Sequence, residues 1–128
     1  MKTLVKLGFA MLAGFGLGAG AVHELRAQDT APAYVISEID VLDENGYANE
    51  YIPLANKALA GSGQKRLALT GNTLPIAGDP PKSRIALSIF GSMDKAQAAY
   101  SSPAYIEAQS IGEKYAKIRI FAFEGTAP

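Results

Sequence analysis

Alternating and helical spacings divide most of the chain into six elements. Tyr34 to Val41 puts Val35, Ser37, Ile39 and Val41 on one face and Tyr34, Ile36, Glu38 and Asp40 on the other. This run is rich in strand formers and predicts a first strand. Asp43 is placed to cap a helix after that strand. Tyr47, Tyr51, Leu54, Ala55 and Ala58 then recur along one helical stripe. Pro53 lies inside that stripe and predicts a kink or a restart. Gly61-Ser62-Gly63 ends it in the manner of a glycine cap. Lys65 to Thr70 reads as a shorter strand, Gly71-Asn72 as a turn and Leu74-Pro75-Ile76 as a small extra strand. Gly78-Asp79-Pro80-Pro81 is a stiff, extended loop. Arg84 to Phe90 gives the clearest strand. Ser92 then caps a helix with Met93, Ala96 and Tyr100 on one face. Ser102-Pro103 restarts it, with proline at the first helical position, and Ala104, Ala108, Ile111 and Tyr115 continue the stripe. Ile118 to Phe123 is the last strand.

The order β-α-β-β-α-β predicts an α+β, ferredoxin-like fold, an antiparallel sheet with helices on one face. Val35/Ser37/Ile39, Ile85/Leu87/Ile89 and Ile118/Ile120/Ala122 are the faces suited to packing under the helices. The opposite faces carry Tyr34/Ile36/Glu38, Arg84/Ala86/Ser88/Phe90 and Arg119/Phe121/Phe123. A bare surface holding Ile36, Phe90, Phe121 and Phe123 is too apolar to stay in water. The same face of a second chain would cover it and enclose a cavity, so a homodimer is expected.

The first stretch reads as an address. Lys2 and Lys6 precede an apolar run from Leu7 to Leu17 that extends to Val22; His23-Glu24-Leu25-Arg26 then leads to Ala27-Gln28. That is the secretory pattern of charged start, apolar centre and small residue before the cut. Residues 1–27 are thus expected to be a signal peptide and 28–128 a single exported domain, periplasmic or secreted. Ala19-Gly20-Ala21 is an earlier alternative cleavage site. Retention of Met1–Val22 as a membrane anchor is the other alternative, although the run is short and glycine-rich for a span. Cleavage after Ala27 would remove His23, the only histidine, from a chain without cysteine. No metal site, cofactor or disulfide framework is then expected. Nine Lys+Arg against eleven Asp+Glu would leave a charge of −2 beyond residue 27, with no cationic cluster for nucleic acid.

Several segments in order carry a family resemblance. They are Ala33-Tyr34-Val35-Ile36, Glu38-Ile39-Asp40-Val41, Tyr47, Tyr51-Ile52-Pro53, Gly78-Asp79-Pro80-Pro81-Lys82, Phe90-Gly91-Ser92 and Tyr100-Ser101-Ser102-Pro103-Ala104-Tyr105. From about Pro32 to Gly125 the chain resembles the family known as domain of unknown function 1330. The resemblance implies a ferredoxin-like chain pairing into a dimeric α/β barrel and implies no settled activity. Gly61-Ser62-Gly63-Gln64 departs from the Gly-Gly pair more common in that family before the second strand.

Tyr34, Glu38, Arg84, Ser88 and Arg119 are the residues expected to face the dimer cavity. In a functional reading the guanidinium groups hold a carboxylate or enolate and Glu38 accepts a proton. In a structural reading Glu38 simply pairs with Arg84 or Arg119, as trapped charges commonly do. Asp40 and Asp43 are too few for a cation site, and Asp43 suits a cap better. Tyr47, Tyr51, Tyr100 and Tyr105 are either an aromatic pocket or core and rim. The Asp79-Pro80-Pro81 loop is a recognition surface or a stiff turn. Two functions remain: a small-molecule-binding homodimer, or a cofactor-independent enzyme acting on a small carbonyl or aromatic compound.

Overall fold

All four main strands and both helical regions form where the hydrophobic pattern places them. The computed structural model describes residues 31–128, and Ala31–Pro128 is one compact unit. The expected signal peptide, 1–27 with His23, lies outside the described residues. Strand β1 (Ala33–Val41) leads into a helical region built of α1 (Glu44–Gly46), a π-helical turn (Tyr47–Tyr51) and α2 (Ile52–Leu59). Then come β2 (Lys65–Thr70), β3 (Arg84–Phe90), α3 (Met93–Tyr100), α4 (Pro103–Gly112) and β4 (Ala116–Glu124).

The expected caps form. Asp43, Ser92 and Ser102 accept from the backbone N–H groups of Gly46, Lys95 and Tyr105 at 3.1, 3.2 and 3.2 Å. Each satisfies a donor that the helix start leaves free, worth about 1 kcal/mol. Pro53 acts as a restart. The wider π turn before it ends with the Ile52 N–H bonded to the Tyr47 carbonyl, and Pro53 falls in the first turn of α2, where no N–H is required. Gly61 and Gly63 take positive φ (76° and 83°) to turn the chain into β2. Leu74-Pro75-Ile76 is not a strand: Leu74 and Ile76 are 82 % and 89 % exposed in an extended loop, and Pro75 has no N–H for a ladder.

The strands form an antiparallel sheet in the order β2-β3-β1-β4, open at both edges. Helices α2, α3 and α4 cover one face. Beneath them lie two buried clusters, one around Ile39, Tyr47, Tyr51 and Tyr105, the other around Ala33, Val35, Phe90 and Ala96.

Register corrects the expected faces of β3. Val35 is opposite Ser88, Ser37 opposite Ala86 and Ala33 opposite Phe90, and directly opposed residues share a face. Arg84, Ala86, Ser88 and Phe90 therefore lie under the helices, whereas Ile85, Leu87 and Ile89 lie on the open face. The faces of β1 and β4 are as expected. Ala55, Ala96, Ala99 and Ala108 are among the buried helix positions above the sheet, and the tyrosines add bulk there. Small residues on β3 accommodate those rings. Phe90, expected on the open face, is 1 % exposed and packs edge-on to Tyr100 at 5.8 Å.

Candidate functional site

The sheet separates the five residues expected to share a cavity. Tyr34, Glu38 and Arg119 are on the open face; Arg84 and Ser88 are on the helix side. Glu38 accepts from the Arg119 guanidinium at 2.7 Å and from the Lys82 backbone N–H at 3.2 Å. The carboxylate is nearly enclosed, and Arg119 also lies 4.9 Å over the Phe121 ring. This is the ion-pair arrangement rather than an open proton acceptor. Tyr34 stacks on Phe123 at 5.7 Å and donates its hydroxyl to the Thr126 carbonyl at 2.5 Å. Across the sheet, Arg84 bonds Glu44 at 2.7 Å and sits 5.6 Å from the centre of the Tyr47 ring. Ser88 is buried. Asp43 caps a helix as expected, while Asp40 accepts from the Ser83 N–H at 2.8 Å and meets Lys82 at 3.7 Å. These contacts tie the loop after β2 to β1. The Ser83 N–H holds the Asp40 carboxyl below the usual carboxylate range.

The residues that do converge are the four tyrosines. Tyr47 and Tyr51 come from the π turn, Tyr100 from the end of α3 and Tyr105 from α4; all four line a pocket of about 230 Å³ between helices and sheet. The Tyr51 and Tyr105 hydroxyls are hydrogen-bonded at 3.0 Å. Tyr100 packs edge-on to Tyr105 at 4.8 Å, and its hydroxyl donates to Gln64 at 3.4 Å. Ile39, Leu69 and Ala86 supply an apolar lining, and Ser37 adds a hydroxyl. Burial pushes the Tyr100 hydroxyl up to about 12. It also raises Tyr47, Tyr51 and, most of all, Tyr105 above the ordinary phenol value. All four rings are therefore neutral hydrogen-bonding groups at neutral pH.

Arg66 completes the lining and was not among the residues expected there. Its place comes from a bulge. Arg66 opposes Ser88 and Ala68 opposes Leu87, so one extra residue enters β2 between them. Arg66 and Leu69, three positions apart, thereby share the helix-side face, a re-aiming typical of bulges beside sites. A second hollow of about 290 Å³, between α3 and β4, is lined by Val35, Met93, Ala96 and Ile120 among others and holds no charged side chain. Convergent polar groups in an apolar setting mark ligand sites, which favours the tyrosine pocket. Among the described residues no three His, Cys, Asp or Glu side chains cluster as metal ligands.

Residues 32–126 match the family described as "Domain of unknown function (DUF1330)". The chain belongs to the DUF1330 family. Among solved structures, this DUF1330 chain is similar to a protein of unknown function from Rhodopseudomonas palustris. The TM-score is 0.60 at 15 % identity, covering 85 % of this chain and 94 % of that one. It is also similar to SnoaB, a cofactor-independent oxygenase from Streptomyces nogalater, with TM-score 0.52, 10 % identity, and coverage of 77 % and 96 %. A dimeric ferredoxin-like protein of unknown function from Thermobifida fusca gives TM-score 0.50 at 15 % identity, with coverage of 73 % and 91 %. At these identities the likeness shows the ferredoxin-like fold alone. No curated protein matches the chain.

Proposed function

We propose that this DUF1330 chain is an exported homodimer that binds a small molecule in the tyrosine pocket of each subunit. The observation that carries the reading is the pocket itself, with four neutral tyrosines and one arginine lining a mixed polar and apolar space of about 230 Å³. That volume lies below the ~300–1,000 Å³ of sites for drug-sized ligands, so the ligand is small. Pairing of two chains is supported by the open sheet face, where Ile36, Ile85, Leu87, Ile89, Phe121 and Phe123 have no covering layer in the single chain. The dimeric Thermobifida fusca protein is consistent with that pairing. The dimer interface and the ligand site then lie on opposite sides of the sheet. Export is proposed from the charged, apolar and small-residue order of residues 1–27.

A second reading is a cofactor-independent enzyme acting on a small carbonyl or aromatic compound. The hydrogen-bonded Tyr51–Tyr105 pair inside the pocket favours it, since such a pair can pass a proton between oxygens. The fold likeness to SnoaB is compatible with it.

Native mass spectrometry on the protein recovered from its producing cells tests the main reading. The expected species is a dimer of chains beginning near Gln28, each retaining an extra mass that the pocket-filling change Ala86→Leu removes. Monomers, full-length chains, or an extra mass unaffected by Ala86→Leu would overturn, respectively, the pairing, the export and the site.

A further inference from the structure

We propose that the tyrosine pocket is selective for an aromatic carboxylate, with Arg66 as the group that holds the carboxylate. This deepens the small-molecule reading above and rests on it. The described residues contain three arginines, and two of them are already engaged. Arg84 bonds Glu44 and covers Tyr47; Arg119 bonds Glu38 and covers Phe121. Arg66 has neither an acidic partner within 4.0 Å nor an aromatic face beneath it among the described residues. It is also the only charged residue in the pocket lining, which includes no carboxylate. The lining therefore carries one uncompensated positive charge.

Placement makes that charge relevant to a ligand. The bulge in β2 turns Arg66 to the helix side, and its charge is felt at both the Tyr51 and Tyr100 hydroxyls. A guanidinium presents a rigid, planar set of donors that matches a carboxylate with two parallel hydrogen bonds. The phenol hydroxyls remain protonated. Tyr100 donates to Gln64 and one of the Tyr51–Tyr105 pair to the other, which leaves Tyr47 and the second member of the pair as neutral donors, while the rings offer edges and faces to an aromatic body. Arg66 is itself exposed, standing at the pocket's solvent side on edge strand β2, whereas Tyr51 and Tyr105 are buried. An acid would enter ring first and leave its carboxylate at Arg66. A one- or two-ring molecule suits the space.

Isothermal titration calorimetry on the intact protein tests this with two probes of equal shape, 2-naphthoate and the neutral 2-naphthamide. The expected result is a preference of about tenfold or more for the acid, in line with a charge-assisted bidentate contact. Arg66→Gln should erase the preference, Arg66→Lys should keep part of it, and Lys57→Gln, outside the pocket lining, should leave it intact. Equal affinity for the two probes, or a preference that survives Arg66→Gln, overturns the carboxylate assignment while leaving the pocket as a ligand site. Absence of binding by either probe overturns the assignment and counts against the pocket reading as well.

Discussion

On the helix side of the sheet, the opposed positions midway along β1 and β3 are small or of modest size: Ser37 lies against Ala86, and Val35 against Ser88. On the open side Ile36 sits between Leu87 and Phe121, and Tyr34 between Ile89 and Phe123. Beside the pocket β1 and β3 thus carry Ser37, Ala86 and Ser88 on the covered side and bulky apolar residues on the bare side, while Phe90, Ile39 and Ile120 supply bulk under the helices as well. Small side chains under the helices leave space that the tyrosines only partly fill, and that space is the pocket. Large apolar side chains on the bare side gain stability only if another surface removes them from water. One face holds the cavity proposed for a ligand; the other presents the area proposed for a second chain.

The strongest way to break this contrast is to charge the open face. Leu87→Asp places a carboxylate at the centre of the proposed chain-to-chain contact, where an unpaired buried charge costs several kcal/mol. Sedimentation equilibrium should show the dimer dissociation constant rising by about a thousandfold or more. Phe123→Asp, at a side chain already 42 % exposed in the single chain, is a gentler second change that should act in the same direction. Far-UV circular dichroism should stay the same for both. A dimer unaffected by either substitution would place the contact elsewhere and leave the apolar face without a purpose.

The alternation of β3 shows why this contrast escapes the sequence. Ile85, Leu87 and Ile89 form the more hydrophobic of its two faces, so a pattern reading sends them under the helices. They point the other way because hydrophobicity reports burial without saying what does the burying. On β1 and β4 the inward set is also apolar, and there the pattern and the register agree. Tyr47, Tyr51, Tyr100 and Tyr105 were legible as a set, with an aromatic pocket and core and rim both open as readings. Their closure into a pocket depends on α3 and α4 meeting the π turn, which spacing within one helix does not encode. Arg66 was hidden more deeply, since strict alternation along β2 puts Arg66 and Leu69 on opposite faces, and only the bulge brings them together.

Alkaline titration probes the covered face, with an intermediate expected effect. Burial raises the Tyr100 hydroxyl to about 12 from its ordinary 10, and raises Tyr47, Tyr51 and Tyr105 as well. For a phenol the raised value means the folded state favours the neutral form. The associated stability is complete below pH 10 and is lost as pH climbs from 10 through about 12. For Tyr100 alone that amounts to roughly 2–3 kcal/mol. Phenolate absorbance should therefore rise with the pocket tyrosines lagging behind model tyrosine, and loss of helical dichroism should accompany their ionisation. Four pocket rings that titrate freely near pH 10, with the fold intact, would mean the pocket is open to solvent.

Glu38→Gln should have the smallest effect, and it tests whether the two faces are independent. The side chain keeps an oxygen for the Lys82 N–H but loses its charge pairing with Arg119, whose own side chain is 64 % exposed. An ion pair with one partner so solvated contributes about 1 kcal/mol or less. Thermal unfolding should shift by only a few degrees, and the dimer should weaken by roughly fivefold at most. Binding of 2-naphthoate in the pocket should not change, because the sheet separates Glu38 from the pocket tyrosines. A large loss of probe affinity in this variant would couple the two faces and return Glu38 to the ligand site. A large loss of pairing alone would instead mean that Arg119 becomes buried when two chains meet, making Glu38 its necessary counter-charge at the contact.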